Sequence, residues 1–96
     1  MDNRVLLNNL YDYYKELLTE KQKLYFEDYF FDNLTLSEIA SNYQVSRNAV
    51  HKQLKEIEEK LYSYENKLEL FSKKQKIEQI LKNVDERIKE QIEELI

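Results

Sequence analysis

Glycine, proline, cysteine and tryptophan are all missing from this 96-residue chain. Without cysteine there is neither a disulfide framework nor a thiolate metal site. The one histidine, His51, excludes a histidine cluster for zinc. Without glycine there is no phosphate-cradling loop, and every turn must be made by Asn, Asp, Ser, Thr or Lys. Without proline nothing breaks a helix by force. No apolar run reaches the roughly 18 residues of a membrane span, and the N-terminus lacks the hydrophobic centre of a signal peptide. A cytoplasmic protein of one domain, or one domain with an appendage, is expected, with a modest core.

What is present says all-α. Charged residues make up 35% of the chain, and Glu, Lys, Leu and Ile are abundant. The net charge of −4 argues against indiscriminate coating of nucleic acid, which depends on phosphate neutralisation. Its distribution is uneven. Residues 1–34 hold four Lys/Arg against seven Asp/Glu, residues 35–60 four of each, and residues 61–96 seven against eight.

The neutral middle carries the most information. Residues 35–55, from Thr35 to Lys55, read as a helix-turn-helix. Ala40 sits where two helices would cross most closely, and Ile39, Val45, Val50 and Leu54 supply the apolar positions that lock the pair. Ser46 stands where a cap of the second helix is needed. Past it come Arg47, Asn48, His51, Lys52 and Lys55, all polar, off the apolar stripe, and with no acidic residue on that face. Reading a nucleic-acid groove requires such a helix, whose exposed N-terminal face offers donors and positive charge. The plainer alternative is a helical corner that only packs. Gln44 falls at the turn, where a left-handed backbone favours glycine, at a cost of about 1–2 kcal/mol.

Around this element the spacing predicts further helices. Leu6, Leu7, Leu10, Tyr14, Leu17 and Leu18 place a first helix over Asn3 to Leu18. Thr19 and Gln22 form a capping box that opens a second helix carrying Tyr25, Phe26, Tyr29 and Phe30, stopped by Asp32 and Asn33. Thr35 and Glu38 form another box, opening a third helix that ends near Asn42. The fourth helix continues past its reading face. Val50, Leu54, Ile57, Leu61, Tyr64, Leu68 and Phe71 trace a heptad seam. Its phase breaks at Ser72–Lys76, with Ser72 as a cap, and a stripe resumes with Ile77, Leu81, Val84, Ile88 and Leu95, with Gln91 in an inward slot that sets register.

Two helices of about 25 residues would then form a hairpin arm. The expected organisation is a helix-turn-helix domain over 1–61 and an arm over 62–96. A lone hairpin covers only part of the double stripe, leaving Ile80, Ile92 and Ile96 in water at about 2 kcal/mol each. A homodimer through Leu81, Val84, Ile88, Ile92 and Leu95 is the expected remedy. The alternative is that the stripe packs back on the first two helices.

Catalysis is not expected. Ser46 and His51 lie five residues apart and point in different directions on a helix. Glu56, Glu58 and Glu59 read as a solvated patch, and no metal or cofactor is implied.

The stretch from Leu18-Thr19-Glu20-Lys21-Gln22 to Leu61 resembles region 4 of bacterial sigma factors, through Leu34-Thr35-Leu36-Ser37-Glu38-Ile39-Ala40 and Val45-Ser46. With Leu10-Tyr11-Asp12-Tyr13-Tyr14, Ser46-Arg47-Asn48-Ala49-Val50-His51 and Tyr62-Ser63-Tyr64-Glu65-Asn66-Lys67-Leu68, the nearer likeness is to the YlxM family of small bacterial helix-turn-helix proteins, over most of residues 5–77. That resemblance implies DNA binding through Ser46, Arg47, Asn48, His51, Lys52 and Lys55. It also implies a link by gene neighbourhood to the signal recognition particle, and so a regulator of that pathway. A structured RNA target, or a non-catalytic protein-interaction module of the particle on an inherited scaffold, stays open beside it.

Overall fold

The computed structural model describes residues 3–96, and among them finds six α-helices and no strand. These are α1 (Arg4–Tyr14), α2 (Glu20–Phe26), α3 (Leu36–Tyr43), α4 (Arg47–Leu68), α5 (Leu70–Leu81) and α6 (Glu86–Glu93). A 3₁₀ turn, Lys15–Leu17, follows α1, and a π turn, Glu27–Phe31, extends α2.

The caps fall where their residue types place them. Thr19 Oγ1 accepts the Gln22 N–H at 3.1 Å, and Gln22 Oε1 accepts the Thr19 N–H at 3.0 Å. Thr35 and Glu38 repeat the exchange, both at 3.1 Å. Each cap satisfies amides that a helix start would otherwise leave unpaired, stabilising by about 1 kcal/mol.

The core is built around α4. Its Val50, Leu54, Ile57 and Leu61 are fully buried against Leu7, Leu10, Tyr11 and Tyr14 of α1, Tyr25 and Phe26 of α2, and Ile39 and Ala40 of α3. Each such aliphatic side chain contributes about 1.5–3 kcal/mol. The first half of the seam therefore packs on the chain's own domain. Beyond Leu61 the seam fades, with Tyr64 half-buried and Leu68 exposed.

Aromatic rings fill the side of this core. Tyr11 stacks on Phe26 at 4.2 Å between centroids, and Phe26 on Phe30 at 4.4 Å. The Arg4 guanidinium lies 4.9 Å from the Tyr29 ring centroid and 5.0 Å from that of Phe30, and donates to both backbone carbonyls. It thereby occupies acceptors that the end of the π turn would leave open. Asp32 and Asn33 do end the helix, Asn33 with φ 56°.

Several boundaries differ from the sequence expectation. The first helix ends at Tyr14, not Leu18. The tight turn after it, closed by Leu18 N–H to Lys15 O at 3.0 Å, swings Leu18 into the core and leaves Leu17 exposed. The fourth helix ends at Leu68, where Glu69 turns left-handed at φ 56°, three residues before the expected phase break. Ser72 is not a cap; its own N–H donates to Glu65 Oε2 at 3.0 Å.

The C-terminal stretch is not one long helix either. It breaks between Leu81 and Glu86, because Asp85 accepts the Arg87 N–H at 2.8 Å and starts α6 afresh. Of the two helices of about 25 residues expected to pair, the first is α4, at 22 residues, and the second is divided into α5 and α6, of 12 and 8 residues. α5 lies against α1, with the Phe71 ring 6.3 Å from that of Tyr13. α6 folds back so that Leu95 and Ile96 share an apolar cleft of about 360 Å³ with Tyr13, Leu70 and Ile77. Leu81, expected on a dimerising face, is only 2% exposed and so belongs to the chain's own packing. Ile80, by contrast, is exposed as expected, while Ile92 and Ile96 are half-buried.

Candidate nucleic-acid interface

The turn between α3 and α4 follows from its residues. Ala40 and Ile39 are buried, so α3 can lie close to Val50 and Leu54 of α4. Gln44 takes φ 55° and ψ 46°, the left-handed conformation expected of it. The Val45 N–H then donates to Ala40 O at 3.0 Å, closing α3. Val45, expected among the locking residues, is left 37% exposed at the rim of the turn. Ser46 is extended, and its Oγ accepts the Ala49 N–H at 3.0 Å. Its hydroxyl oxygen thereby serves the cap, and the O–H remains able to donate outward.

Behind this cap, burial of Val50, Leu54 and Ile57 fixes how α4 is rotated. Arg47, Asn48, His51, Lys52 and Lys55 are then all exposed, along a strip of the first turns. Three cations and an imidazole lie side by side with no acidic residue in the first turn. The N-terminal end of α4 also carries the positive end of the helix dipole.

One feature of this face is not legible from residue types alone. His51 and Lys55 share a shallow crevice of about 290 Å³ with Glu58, Glu59 and Tyr62. The strip thus changes sign after Lys55.

Among the described residues no group of three His, Cys, Asp or Glu converges as a metal site, and no helix is long and apolar enough to cross a membrane. The hydrogen-bond roles of Arg4 and of the Tyr14–Glu65 pair are absent from the sequence pattern, since Arg4 and Tyr14 find partners 25 to 56 residues away in the chain. No local spacing signals such contacts.

A capped turn with a left-handed joint, a small residue at the crossing and an exposed polar second helix define a helix-turn-helix protein. The chain belongs to the UPF0122 family, the YlxM / p13-like helix-turn-helix proteins, whose family model matches residues 1–96. It is 41% identical over 91 residues to a UPF0122 protein of Halalkalibacterium halodurans, covering 95% of this chain and 84% of that one. A UPF0122 protein of Geobacillus sp. strain WCH70 is 41% identical over 88 residues, covering 92% and 80%. One from Listeria monocytogenes is 40% identical over 99 residues, covering 93% and 90%.

Proposed function

We propose that this protein is a nucleic-acid-binding regulator that sets the N-terminal turns of α4 into the major groove of duplex DNA. The observation that carries the reading is the exposed strip Arg47, Asn48, His51, Lys52 and Lys55, held outward by a capped Ser46 and a buried Val50–Leu54–Ile57 seam. Arg47 and Lys52 engage phosphates or base edges, Asn48 and His51 donate or accept at base edges, and Lys55 ends the contact before Glu58 and Glu59.

The reading includes a homodimer through the arm. Ile80 is 69% exposed, Ile88 50% and Leu95 84%, and α6 has no buried residue. An eight-residue helix of this kind is marginal by itself, so a second copy covering Val84, Ile88, Ile92 and Leu95 supplies the missing packing. A two-fold dimer presents two reading helices, and their separation matches the half-site spacing of its target.

The family likeness makes the signal recognition particle pathway the system to test first. The acidic net charge of −4 favours the second reading, a non-catalytic accessory that binds structured RNA or a protein of that particle. A-form RNA cannot admit α4 into its narrow major groove, so duplex DNA and structured RNA should compete unequally.

The test is a salt titration of binding to duplex DNA and to structured RNA, with wild type and Arg47→Ala/Lys52→Ala. The double variant should bind more weakly, with a salt slope reduced by about one unit per lost phosphate contact and unchanged helicity. Equal binding across the titration excludes this face as the reader.

A further inference from the structure

The first amides of α5 are not capped by α5's own neighbour. Glu69 stands at the cap position and makes no side-chain cap bond. The amides turn instead to residues of two other helices. Leu70 N–H donates to the Tyr14 hydroxyl oxygen at 3.1 Å. Phe71 N–H donates to Glu65 Oε1 at 3.2 Å, and Ser72 N–H to Glu65 Oε2 at 3.0 Å. Tyr14 O–H donates in turn to Glu65 Oε1 at 2.5 Å. One carboxylate and one phenol thereby join α1, α4 and α5 at a single point.

This point lies at the joint of the molecule. Glu69, with φ 56°, is a left-handed non-glycine residue, a conformation that a free chain leaves readily. Past the joint, α5 leans on α1 through Phe71 and through Lys74, whose ammonium lies 5.9 Å from the Tyr13 ring centroid. α6 buries no residue. Beyond the joint the arm is held by apolar contacts, namely Phe71 on Tyr13, the buried Leu81 at the end of α5, and Leu95 and Ile96 in the cleft with Tyr13. Four hydrogen bonds, by contrast, converge on the first turn of α5.

We propose that Glu65 and Tyr14 form a latch that sets the angle of the α5–α6 arm against the helix-turn-helix. Closed, the latch gives one arm direction and so one separation between the reading face and anything the arm holds. Opened, Glu69 relaxes and the arm swings while the α1–α4 core stays folded. Glu65 is a positioning residue. This goes beyond the reading of α4's outward strip, and its test uses no nucleic acid.

The absence of native cysteine allows clean spin labelling at Asn42→Cys on α3 and Glu90→Cys on α6, both exposed positions. Labelled full-length chain is diluted with unlabelled protein, so that only distances within one chain are read. The otherwise native protein should give one narrow distance peak. Glu65→Ala should broaden it and raise hydrogen exchange at Leu70, Phe71 and Ser72 about tenfold or more, as loss of a charge-assisted bond does. Exchange at Val50, Leu54 and Ile57 should not change. Tyr14→Phe, which keeps the ring in the core, should loosen Leu70 most, and Glu65→Gln should restore part of the protection through its remaining carbonyl oxygen. A peak that stays narrow in both Glu65→Ala and Tyr14→Phe overturns the latch. Core amides that rise in step with those of α5 overturn it as well, because Glu65 would then be a general stabiliser.

Discussion

The Tyr43 hydroxyl donates to Asp28 Oδ2 at 2.9 Å, tying the last turn of α3 to the π turn after α2. The Tyr43 ring also meets Tyr25 edge-on at 4.7 Å. α3, the helix before α4, is therefore held by one hydrogen bond and one ring contact to the aromatic side of the core.

This contact has a pH signature shared with two other tyrosines. Burial, then the bond to Asp28, pushes the Tyr43 hydroxyl up to about 12. Burial and Glu65 push Tyr14 to about 12, and burial and Glu27 raise Tyr11 further. Each hydroxyl is neutral when protonated, so above pH 10 the folded protein keeps protons that the unfolded chain has released. Stability from Tyr14 and Tyr43 is complete below pH 10 and is lost between pH 10 and about 12, and that from Tyr11 is lost at still higher pH. Melting temperature should fall steeply over that window. Tyrosinate absorbance should show these three hydroxyls titrating late, and Tyr43→Phe should make the fall shallower. A melting temperature that stays flat up to pH 12 would contradict this assignment.

Ala40, 7% exposed, marks the close approach of α3 to α4. Ala40→Leu should overpack the crossing and cost about 1–3 kcal/mol. In a chain of this size each kcal/mol lowers the melting temperature by about 4–8 °C. An unchanged thermal melt would mean that the crossing is looser than the structure has it.

Gln44 carries backbone strain at φ 55°. Gln44→Gly removes the Cβ clash and should hold or raise stability by up to about 1 kcal/mol, after the loss to unfolded-chain entropy. Gln44→Val, whose branched side chain resists the left-handed region, should be less stable than wild type. Urea midpoints in the reverse order would show that the turn is not left-handed in solution.

The arm predicts an oligomer. Ile88→Glu with Ile92→Glu places two charges on the apolar side of α6 and should yield a monomer with its α1–α4 helices intact. That monomer should bind a two-half-site duplex more weakly than wild type, because avidity is lost. Sedimentation equilibrium decides it: a wild-type chain that stays monomeric at high micromolar concentration removes the dimer from the functional reading.

Local chemistry determined much of this protein by itself. Thr19, Thr35 and Ser46 each sit before a helix whose first amides need an acceptor, and a hydroxyl two or three residues away can reach them without help from the rest of the chain. The heptad spacing of Val50, Leu54, Ile57 and Leu61 fixed which side of α4 is buried, and therefore which side carries Arg47, Asn48, His51, Lys52 and Lys55. The left-handed Gln44 was equally legible. What the tertiary structure decided are the points where a group is satisfied from far away. Periodicity alone carries the seam through Leu68 to Phe71, yet α4 stops at Leu68 because Glu65 and Tyr14, 51 residues apart, converge on the amides of the next helix. The same holds for Arg4 on the carbonyls of Tyr29 and Phe30, and for Leu81, whose apolar side chain is identical in type to its neighbours on the stripe but is enclosed by its own chain. A hydrogen bond or a burial between distant segments leaves no periodic trace, since its geometry exists only once the helices have packed.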